Sequence, residues 1–249
     1  MDINALHIPL QFKILQLDVV SSTNTVLREM LNQAPQEEGL VIVADYQTGG
    51  RGQENTVWES DRGLNVLCSV LLQPNFLSID EQIYLNMALC LAVYDMMSEY
   101  TSEVCIKWPN DVYARQQKVC GILIENQLAG SKIKSSIVGI GLNVNQQQFK
   151  QSKATSLSAV KNKLLDKEEV LTKLLQAINK RYQLLFLKQF EKLNKDYHHV
   201  LLGLNEVRKF QSGFNVFNGV IKQVNEQGML VVEVKKELKK FRVKEIKML

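Results

Sequence analysis

Along the chain the spacing of apolar residues changes repeatedly, and each change marks an element. Residues 11–20 (QFKILQLDVV) are dense in apolar and β-branched side chains and predict a strand. Ser21-Ser22-Thr23-Asn24 then supplies helix-capping side chains, after which Val26, Leu27, Met30 and Leu31 repeat at helical spacing. Leu40–Ala44 predicts a short buried strand, followed by Gln47-Thr48-Gly49-Gly50-Arg51-Gly52-Gln53, a polar loop whose glycines deny it a regular element. Leu64–Leu72 (LNVLCSVLL) is apolar enough for a buried strand, and Ser78-x-x-Glu81 is a capping box opening a helix to about Tyr100. Cys105–Trp108, Val112–Ala114, Val119–Glu125 and Ile133–Val144 complete a strand-rich half. The expectation is an α+β fold, a mixed sheet backed by helices.

Residues 145–165 are polar with few signals, and Asp166-x-x-Glu169 then caps a long amphipathic helix whose Val170, Leu174, Ile178, Leu185 and Phe186 face inward. A second helix is expected over about Lys188–His198. From Glu206 the pattern shortens to the β segments Val207–Gln211, Val216–Val224, Met229–Val234 and Leu238–Val243. This predicts a small C-terminal β-barrel of the SH3-like kind. With 249 residues and roughly 150 per domain, the expected division is residues 1–203 as the main domain and 204–249 as the appendage.

Composition narrows the classes. At 45% apolar and 22% charged residues the chain can build a core, which excludes fibrous and disordered classes. The longest uncharged apolar stretch, around Ile83–Met97, carries Asn86 and Asp95 and falls short of the roughly 20 residues a bilayer span needs, so no membrane association is expected. The N-terminus has no basic segment followed by an apolar one, which points to the cytoplasm. Four cysteines at 68, 90, 105 and 120 form no CxxC pair and read as small reduced core residues. The net charge of +4 is uneven: seven basic residues against Glu237 and Glu245 between Lys235 and Lys247 give a local +5.

Three segments carry candidate chemistry. Glycines 49, 50 and 52 let backbone amides approach a ligand, and Arg51 offers a fork of donors suited to carboxylate or phosphate; a plain hairpin with a solvated arginine fits the same composition. Lys107-Trp108-Pro109-Asn110-Asp111 sets a lysine at a strand end, with Asn110 and Asp111 either orienting a ligand, holding a hydrated Mg²⁺, or satisfying their own turn. Gly121, Gly139 and Gly141 interrupt apolar strands, which marks close approach of a neighbouring element or a ligand.

Together these segments resemble the biotin protein ligases. The matching pieces are Ser22-Thr23-Asn24, the Gln47–Gly52 loop with Trp58, Gly63-x-Asn65, Lys107-Trp108-Pro109-Asn110-Asp111, Lys118-x-x-Gly121-Ile-Leu-x-Glu125 and Gly139-x-Gly141-x-Asn143, with the small β domain matching 206–249. The resemblance implies a class II synthetase-like, biotin–lipoate ligase-like catalytic domain. It implies a two-step reaction: biotin and MgATP give biotinyl-5′-AMP and pyrophosphate, and a lysine of a biotin carboxyl carrier protein then takes the biotinyl group. By the same resemblance Ser22, Thr23, Asn24, Gln47, Gly50, Arg51 and Gly121 hold biotin, and Arg51, Trp58, Lys107, Asn110 and Asn143 hold ATP and the adenylate. Lys107 and Arg51 are the implied catalytic cations, and Asn110 with Asp111 the implied Mg²⁺ site.

The chain departs from that pattern where Gln53-Glu54-Asn55-Thr56 replace further loop arginines. Only about ten residues precede the first strand, so a helix-turn-helix domain and DNA binding are not expected. Two other readings remain at this level. One is a lipoate or octanoate ligase or transferase of the same fold, with Cys120 as an acyl acceptor. The other is a non-enzymatic module using the basic barrel.

Overall fold

The computed structural model describes residues 10–52, 56–150 and 153–249. Its larger sheet has seven strands, β1 (Lys13–Val20), β2 (Leu40–Gln47), β3 (Val66–Leu72), β4 (Val104–Lys107), β5 (Asp111–Ala114), β6 (Gln117–Ala129) and β7 (Lys132–Leu142), in the order β1-β2-β3-β7-β6-β5-β4. Only β1 and β2 run parallel, because helix α1 (Thr23–Gln33) supplies the crossover between them; every other neighbouring pair is antiparallel. The expected mixed sheet backed by helices is therefore present. Among the described residues no helix is long and apolar enough to cross a membrane.

Alternation along the strands separates two faces. Val41, Val43, Cys68, Val70, Cys120, Ile122, Val138 and Ile140 point into the main core beneath α2 (Gln82–Ser98) and α4 (Lys167–Phe186). Leu40, Ile42, Leu71 and Ile137 point to the other face and pack with Leu27 of α1, flanked by Val26, Met30 and Leu31 of the same helix and Leu17 of β1. That second cover is short, and beyond the start of α1 the sheet lies open. The Ser78–Glu81 box forms as expected, with the Glu81 carboxylate accepting from the Ser78 N–H at 2.8 Å across a short 3-10 turn that leads into α2. At α4 the outcome differs: Asp166 caps through the Glu168 N–H at 2.8 Å, while Glu169 pairs with Lys173 at 3.0 Å instead of closing a box. The polar segment before α4 holds one short helix, α3 (Leu157–Lys161), and α5 begins at Phe190 and ends at His199.

The C-terminal segment is a five-stranded antiparallel sheet, β8 (Val207–Ser212), β9 (Asn215–Val224), β10 (Leu230–Val234), β11 (Glu237–Phe241) and β12 (Lys247–Met248), in the order β11-β10-β9-β8-β12. It is fastened to the larger unit through the segment carrying Lys107. Trp108 Nε1 donates to the Gly228 carbonyl at 3.0 Å, while the Ile106 N–H donates to the Val200 carbonyl at 2.9 Å, in the segment that leads from α5 toward β8. His198 of α5 makes the second fastening. Its Nε2 accepts from the Val224 N–H at 2.8 Å, so Nδ1 carries the hydrogen and donates to the Asn194 carbonyl, also at 2.8 Å. Replacing His198 by Ala orphans the Val224 donor and should cost about 1–3 kcal/mol. Equilibrium denaturation with protease sensitivity of the 207–248 segment measures this; unchanged stability and unchanged cleavage would show that the ring does not fasten the two parts.

Candidate functional site

Strand register builds the site. Gly121 of β6 lies opposite Gly141 of β7, Asp111 of β5 opposite Gly121, and Lys107 of β4 opposite Asp111. Residues directly opposite share a face, so Gly141, Gly121, Asp111 and Lys107 form one row across four strands on the side that α1 leaves open. Ser69 and Gly139 form the adjacent row. Two glycines side by side lower the sheet surface into a trough, part of a cavity of about 560 Å³ that also receives Ser22, Thr23, Asn24, Gln47, Arg51 and Asn143.

The indole of Trp58 lies in this trough. A Cβ on Gly141 would stand 2.4 Å from Trp58 Cε2, and one on Gly121 would stand 3.0 Å from its Cζ3, so the glycines make room for a ring. Trp58 is placed by its own N–H donating to the Gly50 carbonyl at 3.0 Å, which closes the glycine loop as a narrow hairpin with Arg51 bridged to Val57. Its Nε1 is buried without a hydrogen-bond partner. Arg51, which lines the cavity, donates from its guanidinium to Thr25 Oγ1 at 2.9 Å. Residues 53–55, three of the four departing loop positions, lie outside the described residues.

At one end of the trough is a neutral polar corner. Ser22 occupies the N-cap position of α1 but makes no side-chain cap bond, and Thr23 and Asn24 are buried inside the first turn. The helix starts where the capping signal places it, but these side chains line the cavity and make no side-chain bond to the helix end. Gln47, expected in a loop, is the last residue of β2, and its Oε1 accepts the Thr23 N–H at 2.7 Å. Its Nε2 is therefore turned the other way, toward Gly50. Asn24 Nδ2 donates to Glu125 at 2.6 Å, and Glu125 is ion-paired with Arg28.

At the other end are cations. Lys118 Nζ pairs with Asp111 at 2.6 Å and lies 5.3 Å from the Trp58 ring centre. Lys107 lies 5.4 Å from the Tyr113 ring centre, and burial holds its ammonium below the usual lysine range. Asp111 opposes that shift; Lys153, Lys247 and Lys118 deepen it. Asn143 donates to the Thr155 carbonyl at 3.0 Å, leaving its Oδ1 buried without a partner at the cavity wall. The Asn110 side-chain amide is committed to the Ile122 carbonyl, which ties the turn to β6. Among the described residues no group of three or more His, Cys, Asp or Glu assembles, so no all-protein metal cage is present. Cys120 is fully buried in the main core with its thiol pushed well above the ordinary range, unsuited to accept an acyl group.

Lys118, Ser69, Arg28 and Glu125 were given no role from sequence. Ser69 had a signal, a lone hydroxyl in the apolar run of β3; Lys118 had none beyond its motif, because only the register brings it beside Asp111. The geometry at Gly141 makes a prediction. Gly141→Ala should expel the Trp58 ring while leaving the strand intact, since φ there is not positive. In a Trp108→Phe background the remaining indole emission should shift to the red; an unshifted spectrum with normal circular dichroism would place the ring elsewhere.

A model of the biotin/lipoate A/B protein ligase family matches residues 17–143. The bifunctional ligase/repressor BirA of Bacillus subtilis is 32% identical over 232 residues, covering 90% of this chain and 70% of that protein. The biotin–[acetyl-CoA-carboxylase] ligase of Mycobacterium tuberculosis is 29% identical over 228 residues, covering 88% and 84%. Among solved structures, the biotin protein ligase of Aquifex aeolicus in complex with biotin and ATP superimposes with a TM-score of 0.77 at 30% identity, over 95% of this chain and 98% of that one. The chain belongs to the biotin/lipoate A/B protein ligase family, and the relatives it resembles are biotin protein ligases.

Proposed function

We propose that this chain activates biotin with ATP and transfers it to a lysine of a biotin carboxyl carrier domain. The observation that carries this reading is one cavity with a neutral donor–acceptor corner at one end and half-buried lysines at the other. A ligand with a polar uncharged head and a carboxylate tail fits that division, with a nucleotide phosphate meeting the carboxylate at Lys107 and Lys118. In the first step a carboxylate oxygen of biotin attacks the α-phosphorus, forming a C–O–P linkage as the bond to the β-phosphate bridging oxygen breaks and pyrophosphate leaves. In the second the carrier amine attacks the acyl carbon, a C–N bond forms, AMP departs with the electrons of the C–O bond, and the amine's proton passes to solvent.

The residues divide this work. Ser22, Thr23, Asn24 and Gln47 hold the head, with Gly121 leaving room beneath it and the backbone at Gly50 and Arg51 lying alongside. Lys107 and Lys118 neutralise the approaching anions. Asn143, with its orphaned Oδ1, offers an acceptor to the nucleotide, and Trp58 moves from the glycine trough to give adenine an aromatic face. Mg²⁺ fits Asp111 as its protein ligand, since that ion is commonly held by one or two carboxylates with phosphate oxygens and water; it supplies charge neutralisation when bound. Asn110, whose amide is committed to Ile122, serves the turn. Residues 204–249 form the second domain, and the free cysteines suit a reducing cytoplasm.

Lys107→Ala should keep the fold and lower adenylate formation by two to three decades, about 3–4 kcal/mol of transition-state stabilisation. Pyrophosphate release from ATP and biotin is the assay; wild-type release would remove Lys107 from the mechanism. The exposed edge strand β11 carries Lys239 and Lys240, suited to steer an acidic carrier domain. Lys239→Glu with Lys240→Glu should slow transfer to the carrier at low salt, leave adenylate synthesis unchanged, and lose its effect as ionic strength rises. Equal transfer rates at low salt would dismiss the steering role.

A further inference from the structure

Asp111 is the carboxylate set among the lysines at the cationic end, and strand pairing decides which lysine it serves. It lies directly opposite Lys107 across β4 and β5. On its other side the register of β5 against β6 steps from Val112 opposite Cys120 to Tyr113 opposite Lys118, a bulge that passes over Val119. Strict alternation from Gly121 would send Lys118 to the core side; the step returns it to the cavity, where its ammonium takes Asp111 at 2.6 Å. Lys107 is left without that partner. Among the described residues it makes no ion pair, and its ammonium lies 5.4 Å from the centre of the Tyr113 ring. Tyr113 follows Asp111 by two positions on β5, so it shares that face and stands diagonal to Lys107, within reach of a long side chain.

We infer that Tyr113 is a positioning residue, whose ring face holds the Lys107 ammonium at the cavity without neutralising it. An aromatic face attracts a cation through its quadrupole but brings no counter-charge, so the charge and the ammonium's N–H donors remain for an incoming oxygen. A carboxylate in the same place would compete with the anions that have to meet there. The platform is firm, since Tyr113 is only 8% exposed. It is also neutral: burial first, then Asp111 and Cys105, push the phenol up to about 12, so no phenolate forms beside Lys107 near neutral pH. The inference rests on the proposed biotin-activating function and deepens it: Lys118 is held by a carboxylate and Lys107 by a ring, and the second arrangement leaves the charge unspent.

The test is pyrophosphate release from ATP and biotin by the full chain. Tyr113→Leu should lower kcat about five- to tenfold and leave KM for biotin near wild type, and Tyr113→Phe, which keeps the face, should restore the rate. In a Lys107→Ala background Tyr113→Leu should change nothing further, because the ring then has no cation to hold. Stepwise fluorination of a phenylalanine at position 113 drains the ring face of negative charge at almost constant size, and serves if Tyr113→Leu fails to fold: the rate should fall with each fluorine when Lys107 is present and stay level when it is absent. A loss of the same size in both backgrounds would make Tyr113 a packing residue and overturn the inference, as would a Tyr113→Phe variant no faster than Tyr113→Leu. Wild-type release in Lys107→Ala would overturn it too, by removing the cation from the mechanism while leaving the function standing; absence of pyrophosphate release by the wild type would remove the function itself.

Discussion

The register of β6 against β7 sets Gly121 opposite Gly141, and through β5 and β4 it also decides that Asp111 and Lys107 share their face. A slip of one residue would carry the glycines into the main core beneath α2 and bring Cys120 and Ile122 up into the cavity. The register is held from both faces. Val138, Ile140, Cys120 and Ile122 are locked into the core on one side, while the Asn110 amide on Ile122 fixes the turn to β6. The trough is thus an outcome of core packing. Its glycines lie where one face of the sheet has a helical cover and the other does not.

That arrangement lets a cavity hold charge that the protein alone does not balance. Burial depresses Lys107; Lys153, Lys247 and Lys118 deepen that shift, and Asp111 is the opposing carboxylate. Such crowding is unfavourable in the ligand-free protein and is relieved when an anion enters, which is how preorganised charge stabilises a centre where negative groups must meet. The neutral corner is of the opposite kind: Thr23, Asn24, Gln47 and Ser69 are hydrogen-bonded to one another, and Asn24 reaches the Glu125–Arg28 ion pair. One end is crowded with cations around a single carboxylate, and the other is uncharged and internally hydrogen-bonded.

Much of this was legible in the sequence because the site lies on strand ends and turns, where glycine, proline and polar residues interrupt apolar runs. The sheet, its helices and the late change to short strands followed from periodicity. Ser22-Thr23-Asn24 misled as a cap because a helix N-terminus and a polar pocket call for the same short side chains; only burial and hydrogen-bond partners separate the two uses. Lys118 and Glu125 were visible as residues but not as neighbours, since what brings Lys118 to Asp111 and Glu125 to Asn24 is strand pairing and an approach across 101 positions of sequence. Arg51 was visible as a cation among glycines, but its bond to Thr25 follows only from the way the loop packs on α1.

The C-terminal sheet shows the same dependence from the other side. Its basic run is not a uniform surface: Lys247 acts on Lys107 within the cavity region, whereas Lys239 and Lys240 face outward on the edge strand β11. The connection between those two regions is mechanical, because Trp108, next to Lys107 in sequence, donates to the Gly228 carbonyl in the turn before β10, and Ile106 bonds to the segment leading into β8. A displacement of the small sheet would therefore move Lys107 and Lys247 together or apart. Lys107 is thus held, through its neighbour Trp108, against the same small sheet that carries the outward-facing Lys239 and Lys240.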